Sequence, residues 1–391
     1  MRQFGVLAFS IALFATSSGA QSCGGSFARF VDELKTEALA NGYSDEVVDQ
    51  FFGSVQQDPK VISADRTQGI FQMPFIDFSR RLISQNRLNA GTRNSEKWDS
   101  VFDRVEREYG VSRGVLLAFW AFETDFGAVQ GNFNTVNALV TLSHDCRRPD
   151  LFRPQVFAAL ELFRRGDINP QQTTGAWAGE IGMVQMLPED ILQNGVDGDG
   201  DGKVSLKTSA PDALLSGANL LKSLGWRAGE PWMQEVTLPA DFDWSQTGLN
   251  GWRPVTEWMA LGARPRSGAL LSETLDAAVL LPQGRLGPAF LVYPNYTVFF
   301  EWNQSFIYVT TAAYFATRLE GEPVYQPGNP TQGLNEAQMK ALQQKLTERG
   351  YDVGGIDGIL GAKTRSAVQL EQKRLGLPAD AWPTRELLNA L

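Results

Sequence analysis

The chain has 391 residues, a formal net charge of −9, a sequence pI near 4.9 and 43% apolar residues. The acidic balance argues against nucleic acid and anionic lipid as partners, whereas a carbohydrate polymer is compatible with it. This length and apolar content allow two or three domains with a substantial core.

The first twenty residues have the pattern of a secretory signal peptide. Arg2 precedes an apolar run at residues 4–15, and small residues follow as far as Ala20. The run is too short to span a bilayer, although a signal anchor is the alternative. We therefore expect residues 1–20 to be removed and Gln21 to begin an exported, periplasmic protein. No other run approaches eighteen apolar residues, so no integral membrane segment is expected in the mature form.

Two cysteines, Cys23 and Cys146, follow this leader. In an oxidising compartment an even pair favours one disulfide, which across so long a loop stabilises the fold by roughly 2–4 kcal/mol. Two free thiols are the alternative. Lipidation of Cys23 is disfavoured, because Ala20 stands where a lipobox normally has leucine.

Helical spacing dominates residues 21–319 and predicts a mainly α-helical domain. Phe27, Phe30, Val31 and Leu34 illustrate the recurrence of apolar residues at intervals of three and four. Such stripes usually form a core and carry no functional message. Residues 320–333 contain three prolines and three glycines, which predicts an interdomain linker.

Residues 334–391 predict a small three-helix domain. Asn335 and Gln338 have the spacing of a capping box, and Gly350 is placed to end the first helix. A second helix is expected at about residues 363–375, and Thr384 can cap a short third one.

Glu123 is the main candidate for catalysis. It stands at the end of the most apolar helical stretch in the chain, residues 114–122, with Phe126 close behind it. A carboxyl group among aromatic rings loses hydration of its charged form, so its pKa should rise into the range of a general acid. A helix-end glutamate turned out to solvent is the alternative.

Two motifs resemble the lytic murein transglycosylase B family. Residues 122–127, FETDFG, match its Glu, Ser or Thr, any residue, Phe or Trp, Gly pattern, and residues 175–188, GAWAGEIGMVQMLP, match its S-W-A-G-A-x-G-x-x-Q-F-M-P pattern. The resemblance extends through residues 134–142, 145–149, 197–212, 225–226 and 302–305. It implies a mainly α, lysozyme-like (goose-type) catalytic domain. The C-terminal domain is similar to the peptidoglycan-binding type 1 module, with departures at residues 369–371 and 380–382.

This resemblance implies a lytic transglycosylase that acts on peptidoglycan glycan strands. Glu123 alone would be the general acid and base, cleaving the MurNAc-GlcNAc β-1,4 bond and leaving a 1,6-anhydro-MurNAc end without a cofactor. Asp125 lies about 200° further round the helix axis, so we do not expect it to form a hydrolytic pair with Glu123. The positions that match sugar-contacting or site-ordering residues of the family are Gln185, Asn303, Tyr308 and Trp302.

Two departures from the family pattern lie in the second motif. Ala176 replaces a serine whose hydroxyl helps to hold the catalytic carboxyl, a loss of roughly 1.5–3 kcal/mol. Glu180 adds a like charge near Glu123. They keep two alternatives open: a lysozyme-like muramidase on the same scaffold, and a catalytically weak or inactive peptidoglycan-binding protein.

Residues 197–205 have the first half of a calcium loop, with oxygen ligands at relative positions 1, 3, 5 and 9 and glycine at 6. Thr208 stands where an EF-hand has glutamate, so Asp212 is the expected distal ligand by resemblance to the family. The predicted ligands of a structural Ca²⁺ are Asp197, Asp199, Asp201, Lys203, Ser205 and Asp212. An acidic turn without metal is the alternative.

His144 is the only histidine, so a zinc amidase or peptidase is not expected. Residues 143–147, SHDCR, are similar to a motif of L,D-transpeptidases around Cys146. That family also needs an upstream histidine and a glycine before the cysteine, and both are missing.

Overall fold

A computed structural model describes residues 23–66 and 72–391. The predicted signal peptide, residues 1–20, lies outside the described residues. The described chain is mainly helical, as expected. Its helices are α1 (Phe27–Ala40), α2 (Asp45–Phe52), α3 (Pro59–Asp65), α4 (Phe75–Leu82), α5 (Gln85–Lys97), α6 (Asp99–Tyr109), α7 (Arg113–Thr124), α8 (Thr135–His144), α9 (Pro149–Arg165), α10 (Pro188–Asn194), α11 (Ala210–Ser223), α12 (Val255–Ala260), α13 (Pro294–Trp302), α14 (Phe306–Leu319), α15 (Glu336–Glu348), α16 (Ala362–Arg374) and α17 (Arg385–Ala390). Of these described helices, none is long and apolar enough to cross a membrane.

An antiparallel sheet of five strands interrupts the helices and was not predicted. Its order is β4-β6-β7-β3-β5, and a separate pair joins β1 to β2. The central strands β6 and β7 are buried almost throughout, so their sequences lack the apolar–polar alternation of a half-exposed strand. The strands are β1 (Phe133–Asn134), β2 (Thr174–Gly175), β3 (Met233–Thr237), β4 (Arg253–Pro254), β5 (Arg264–Pro265), β6 (Asp276–Leu280) and β7 (Ala289–Val292).

The N-terminal end of α1 is fixed to the end of α8 by a disulfide between Cys23 and Cys146, which confirms the expected bond. His144 is buried between Phe27 and Phe30, with ring centroids 5.4 and 5.2 Å away. The histidine therefore belongs to the packing of this corner of the domain.

The three C-terminal helices are confirmed as α15, α16 and α17. Asn335 and Gln338 form the expected capping box at the start of α15, and Thr384 caps α17. These helices pack on the sheet region through Arg365, whose guanidinium lies over Phe306 at 4.2 Å and donates to the backbone oxygen of Pro282 at 2.6 Å.

The segment between α14 and α15 has neither helix nor strand at residues 322–335, yet it is anchored at two points. Tyr325 is buried, and its hydroxyl lies 2.8 Å from Ser79 Oγ on α4. Trp382 Nε1 donates to the backbone oxygen of Thr331 at 2.8 Å. The predicted linker is thus held at particular positions, although most of its residues are exposed.

Candidate active site

Glu123 is placed by a helix that is buried along most of its length. Helix α7 packs against α14, and an added Cβ at Gly114 would lie only 2.8 Å from the backbone oxygen of Ala316, so glycine permits this close approach. Asp125 and Phe126 then take left-handed conformations with φ of 52° and 60°, which end the helix. Glu123 consequently lies in the last turn, where the negative end of the helix dipole disfavours a charged carboxylate.

Two hydrogen-bond donors converge on one oxygen of Glu123. The Tyr308 hydroxyl donates to Oε1 at 2.5 Å, and Trp302 Nε1 donates to the same atom at 3.0 Å. Burial raises the pKa of Glu123, and these two donors oppose that rise only in part. The site thus favours a protonated carboxyl while providing partners for the carboxylate when it forms.

The two donors are themselves fixed by packing. The Trp302 ring, at the end of α13, stacks on Phe119 with centroids 4.3 Å apart. Tyr308 lies in the first turn of α14, which Ser305 caps, and the Asn303 side chain accepts a bond from the Ser305 backbone at 2.9 Å. Burial and the neighbouring Glu123 carboxyl raise the pKa of Tyr308, so its hydroxyl keeps the proton that it donates.

The two sequence motifs meet directly. Thr124 Oγ1 donates to the backbone oxygen of Met183 at 2.6 Å and accepts from the backbone N–H of Gly127 at 2.9 Å. Gln185 has a positive φ of 53°, unusual for a residue with a side chain, and its amide donates to the backbone oxygen of Gly182 at 2.7 Å. Strained backbone of this kind is often found at functional sites.

These segments form a cleft of about 370 Å³ that contains most of the predicted catalytic and substrate-binding residues. Four of them, Glu123, Gln185, Trp302 and Asn303, share its lining, and Tyr308 lies behind Glu123 as a hydrogen-bond donor. The lining residues are Glu123, Ala176, Trp177, Glu180, Gln185, Met186, Leu187, Asp190, Leu220, Leu224, Glu301, Trp302 and Asn303.

A family model described as a transglycosylase SLT domain matches residues 26–317 of this chain. The chain belongs to the transglycosylase SLT family. A second model, described as a putative peptidoglycan binding domain, matches residues 335–391. The resemblance to lytic transglycosylases found in the motifs is thereby confirmed.

Relatives of known structure share the fold over most of this SLT-family chain. SltB3 from Pseudomonas aeruginosa, solved in complex with NAG-anhNAM-pentapeptide and with NAG-NAM-pentapeptide, is 36% identical, with TM-scores of 0.85 and 0.86. Those matches cover 94% of this chain and 99% and 100% of SltB3. Slt35 from Escherichia coli, solved in complex with calcium, is 22% identical with a TM-score of 0.66 over 78% of this chain and 97% of its own, which shows the shared fold.

A curated relative matches over a shorter stretch. Membrane-bound lytic murein transglycosylase B of Escherichia coli K12 is 28% identical over 157 residues, or 40% of this chain. The chain thus spans 43% of the length of that relative.

Asp125 does not line the cleft, as expected, but it has left the helix in a left-handed conformation rather than lying about 200° round its axis. Its carboxylate lies 2.9 Å from Arg87 Nε and is half exposed. A buried carboxyl that does line this SLT-family cleft beside Glu123 is Glu180, which sequence reasoning identified only as a nearby like charge. The signal was present, since a glutamate in a loop of glycines and apolar residues, GAWAGEIG, has few partners available locally.

Glu180 lines the cleft with an oxygen that has no partner. Its Oε2 is buried and, among the described residues, no group donates a hydrogen bond to it. The pKa of Glu180 is raised to about 7, mainly by burial and to a smaller extent by Glu123, while nearby backbone N–H groups and Arg148 act in the opposite direction. Burial also raises the pKa of Asp190 on the same wall.

The predicted calcium loop forms what we call the aspartate turn, residues 197–212. Carboxylate oxygens of Asp197, Asp199 and Asp212 lie within 4.8 Å of one another. Ser205 contributes its backbone N–H to Asp212 at 2.6 Å, and Lys203 N–H binds Asp201 at 2.9 Å. Of the six predicted ligands, the structure thus brings three together. Three convergent carboxylates fit the oxygen coordination that Ca²⁺ prefers.

Proposed function

We propose that this protein is an exported lytic transglycosylase that cleaves the β-1,4 bond between MurNAc and GlcNAc in peptidoglycan and leaves a 1,6-anhydro-MurNAc end. Glu123 is its single general acid and base. The observation that carries the proposal is the environment of this carboxyl: it ends a buried helix, faces an open cleft and receives two donors on one oxygen. The SltB3 complexes with NAG-NAM peptides support peptidoglycan as the substrate class.

The first step uses the protonated form of Glu123. Burial raises its pKa, so at a given pH more of the carboxyl keeps its proton than an exposed glutamate would. The proton passes to the glycosidic oxygen, the bond between that oxygen and muramyl C1 breaks, and the GlcNAc side leaves as an alcohol. Glu123 is left as a carboxylate.

The second step uses that carboxylate as the base. Tyr308 and Trp302 stabilise the charge on Oε1 through their hydrogen bonds to that atom. Glu123 takes the proton of the muramyl C6 hydroxyl while O6 bonds to C1 and closes the 1,6-anhydro ring. The proton count is balanced, no water is consumed, and no cofactor enters either step.

Other predicted residues have supporting roles in this proposal. Gln185 and Asn303 face the cleft, where their amides can bind sugar hydroxyl and acetamido groups. The C-terminal domain, residues 334–391, binds the glycan polymer. The disulfide between Cys23 and Cys146 is consistent with export to an oxidising, periplasmic compartment.

A structural calcium ion belongs to the same proposal. Asp197, Asp199 and Asp212 would hold it, away from the residues that line the cleft. Thermal unfolding with added calcium and with chelator tests this: a rise in midpoint for the parent that is absent from Asp199→Asn supports a site, whereas equal midpoints remove it.

The decisive experiment is mass spectrometry of fragments released from purified sacculi by residues 21–391, with Glu123→Gln as the matched variant. We expect muropeptides one water lighter than reducing-end products, and a loss of release of about 10²–10⁴-fold for Glu123→Gln. Intact folding of the variant is checked by circular dichroism. Equal release by both proteins would remove Glu123 from the chemistry.

Glu180 gives one specific reason to keep a muramidase as the second candidate, because a second carboxyl in the cleft can activate water. The same spectra separate the two, since hydrolysis leaves reducing ends. Absence of any fragments would instead favour a peptidoglycan-binding protein that does not cleave.

A further inference from the structure

The cleft is lined by acidic groups without a matching cation. Four of its lining residues are carboxylic acids: Glu123, Glu180, Asp190 and Glu301. Within the part of the chain that the structure describes, no Lys, Arg or His lines this cleft. A substrate that enters it therefore meets carboxyl groups that become negatively charged when they lose their protons, and no lining cation, which favours a positively charged group over a carboxylate.

Glu180 is the point in this cleft where a ligand group is missing. The backbone fixes its position: Ala176 N–H donates to the Glu180 backbone oxygen at 3.0 Å, and a Cβ on Gly175 would lie 1.9 Å from that oxygen, so the turn is closed tightly. Oε2 is nonetheless buried and unpartnered. An unpaired buried carboxylate oxygen costs free energy until a donor reaches it.

The missing donor is better supplied by a cation than by a hydroxyl group. A sugar hydroxyl would satisfy Oε2 but would not compensate the negative charge of an ionised Glu180, which Arg148 offsets only in part. A divalent metal would need several convergent oxygens, and among the described residues only the aspartate turn brings three acidic groups that close together. An ammonium group needs only one or two carboxylate oxygens and carries its own three donors.

We propose that Glu180 binds a primary ammonium group of the glycan substrate next to the bond that is cleaved. This inference rests on the proposed function and names the substrate class: peptidoglycan whose amino sugars are de-N-acetylated carries this group at C2. A diamino acid in the peptide stem carries the same chemistry. Glu180 is thus a specificity residue, and it takes no part in the proton transfers of Glu123.

Kinetics on three prepared substrates test the proposal and its source. They are peptide-free glycan strands with free sugar amines, the same strands fully N-acetylated with acetic anhydride, and N-acetylated strands that retain stems with free amines. We expect the parent to favour the first over the second by about tenfold in kcat/KM, and Glu180→Gln to bring that ratio close to one. If the parent instead prefers the third substrate over the second, and Glu180→Gln loses that preference, the ammonium group that Glu180 binds is the amine of the peptide stem. Equal ratios in parent and Glu180→Gln would overturn the proposal.

The control variant is Glu189→Gln, which removes one negative charge from the neighbouring helix α10. Glu189 accepts a bond from Gln155 at 3.0 Å and does not line the cleft. We expect it to keep the parent's tenfold ratio. A loss of the ratio in this variant as well would show that overall charge, rather than Glu180, sets the preference.

Binding provides a readout that does not depend on turnover. Calorimetry with a glucosamine tetramer and an N-acetylglucosamine tetramer would compare Glu123→Gln with the double variant Glu123→Gln, Glu180→Gln. We expect only the glucosamine tetramer to lose affinity, by about tenfold, in the double variant. Unchanged affinity for it would overturn the ammonium site. If Glu123→Gln binds the glucosamine tetramer in a Glu180-dependent way but the parent cleaves no substrate, the proposed reaction would be wrong and the ammonium site would stand.

Discussion

The catalytic cleft and the aspartate turn both gather carboxyl groups, but they supply hydrogen-bond donors in opposite ways. In the turn, Asp212 is fully buried and accepts backbone N–H bonds from Gly198, Asp199 and Ser205. In the cleft, Glu180 buries an oxygen that receives none. The backbone thus supplies the hydrogen bonds of the buried carboxylate in the turn, whereas in the cleft one carboxyl oxygen is left to take a proton or a donor from the substrate.

The largest effect on stability is expected when Asp212, the buried carboxylate of the aspartate turn, is replaced. Asp212→Asn places an amide donor among backbone donors and removes the charge, so the free energy of unfolding should fall by about 2–4 kcal/mol. Urea unfolding measures this. Asp201→Asn, at an exposed position of the same turn, should change it by less than about 1 kcal/mol. Similar losses in the free energy of unfolding for the two variants would show that the backbone donors around Asp212 do not make it the more important carboxylate.

Replacing the cleft carboxyl of Glu180 is expected to raise the free energy of unfolding at high pH, the opposite of the effect at Asp212. Glu180 has a folded-state pKa of about 7 against an ordinary value of 4.5, so the parent loses stability as the pH rises through this interval. The loss in free energy of unfolding should reach about 2–3 kcal/mol above pH 7. This is less than the full pKa difference would give, because solvent reaches part of the residue. Glu180→Gln lacks this loss and should become more stable than the parent by that amount at pH 8, with little advantage at pH 4.

Unfolding curves at the two pH values measure this difference. Glu189→Gln serves again as the charge-matched control and should follow the parent at both. A Glu180→Gln variant that tracks the parent from pH 4 to pH 8 would show that Glu180 is already satisfied in the folded protein.

A smaller effect is expected at the donor to Glu123. Tyr308→Phe removes the 2.5 Å bond that stabilises the carboxylate, so kcat should fall by about tenfold. The pKa of Glu123 should rise further, which moves the alkaline limb of the activity profile to higher pH. The matched control is Tyr296→Phe, whose buried hydroxyl pairs with Thr310 at 2.8 Å. A shift of the limb to lower pH in Tyr308→Phe would exclude the proposed role.

The smallest effect is expected at Asp125. This residue pairs with Arg87 at the surface, so Asp125→Asn should cost less than about 1 kcal/mol in stability and leave activity unchanged. Asparagine also accepts the left-handed backbone there. A loss of activity above tenfold in fragment release would make Asp125 part of the chemistry.

Features encoded locally could be predicted from the sequence. The helix before Glu123 is a continuous apolar run, and the C-terminal helices carry their own caps at Asn335 and Thr384. The Cys23–Cys146 bond joins residues 123 apart, yet it could be expected because the chain has only these two cysteines. Each of these depends on residue type and spacing, which a sequence displays directly.

Features that depend on contacts between distant residues could not be predicted from the sequence. Tyr308 is 185 residues from Glu123, and its role as a donor appears only when α14 packs on α7. Strands β6 and β7 are buried almost throughout, which removes the alternation that identifies a strand. The unpartnered oxygen of Glu180 is likewise a property of the assembled cleft, because a sequence does not reveal which donors are absent.

The junction around Arg365 has a consequence for how the protein would work on a polymer. A flexible tether would let the C-terminal helices and the cleft sample many separations, and its length would set the effective concentration of one site relative to the other. Here the connecting segment is held at Tyr325 and Thr331, and Arg365 is stacked on Phe306 beside the sheet. A strand bound by the C-terminal helices would therefore meet the cleft at one distance and in one orientation, so wall attachment would select which bonds reach Glu123.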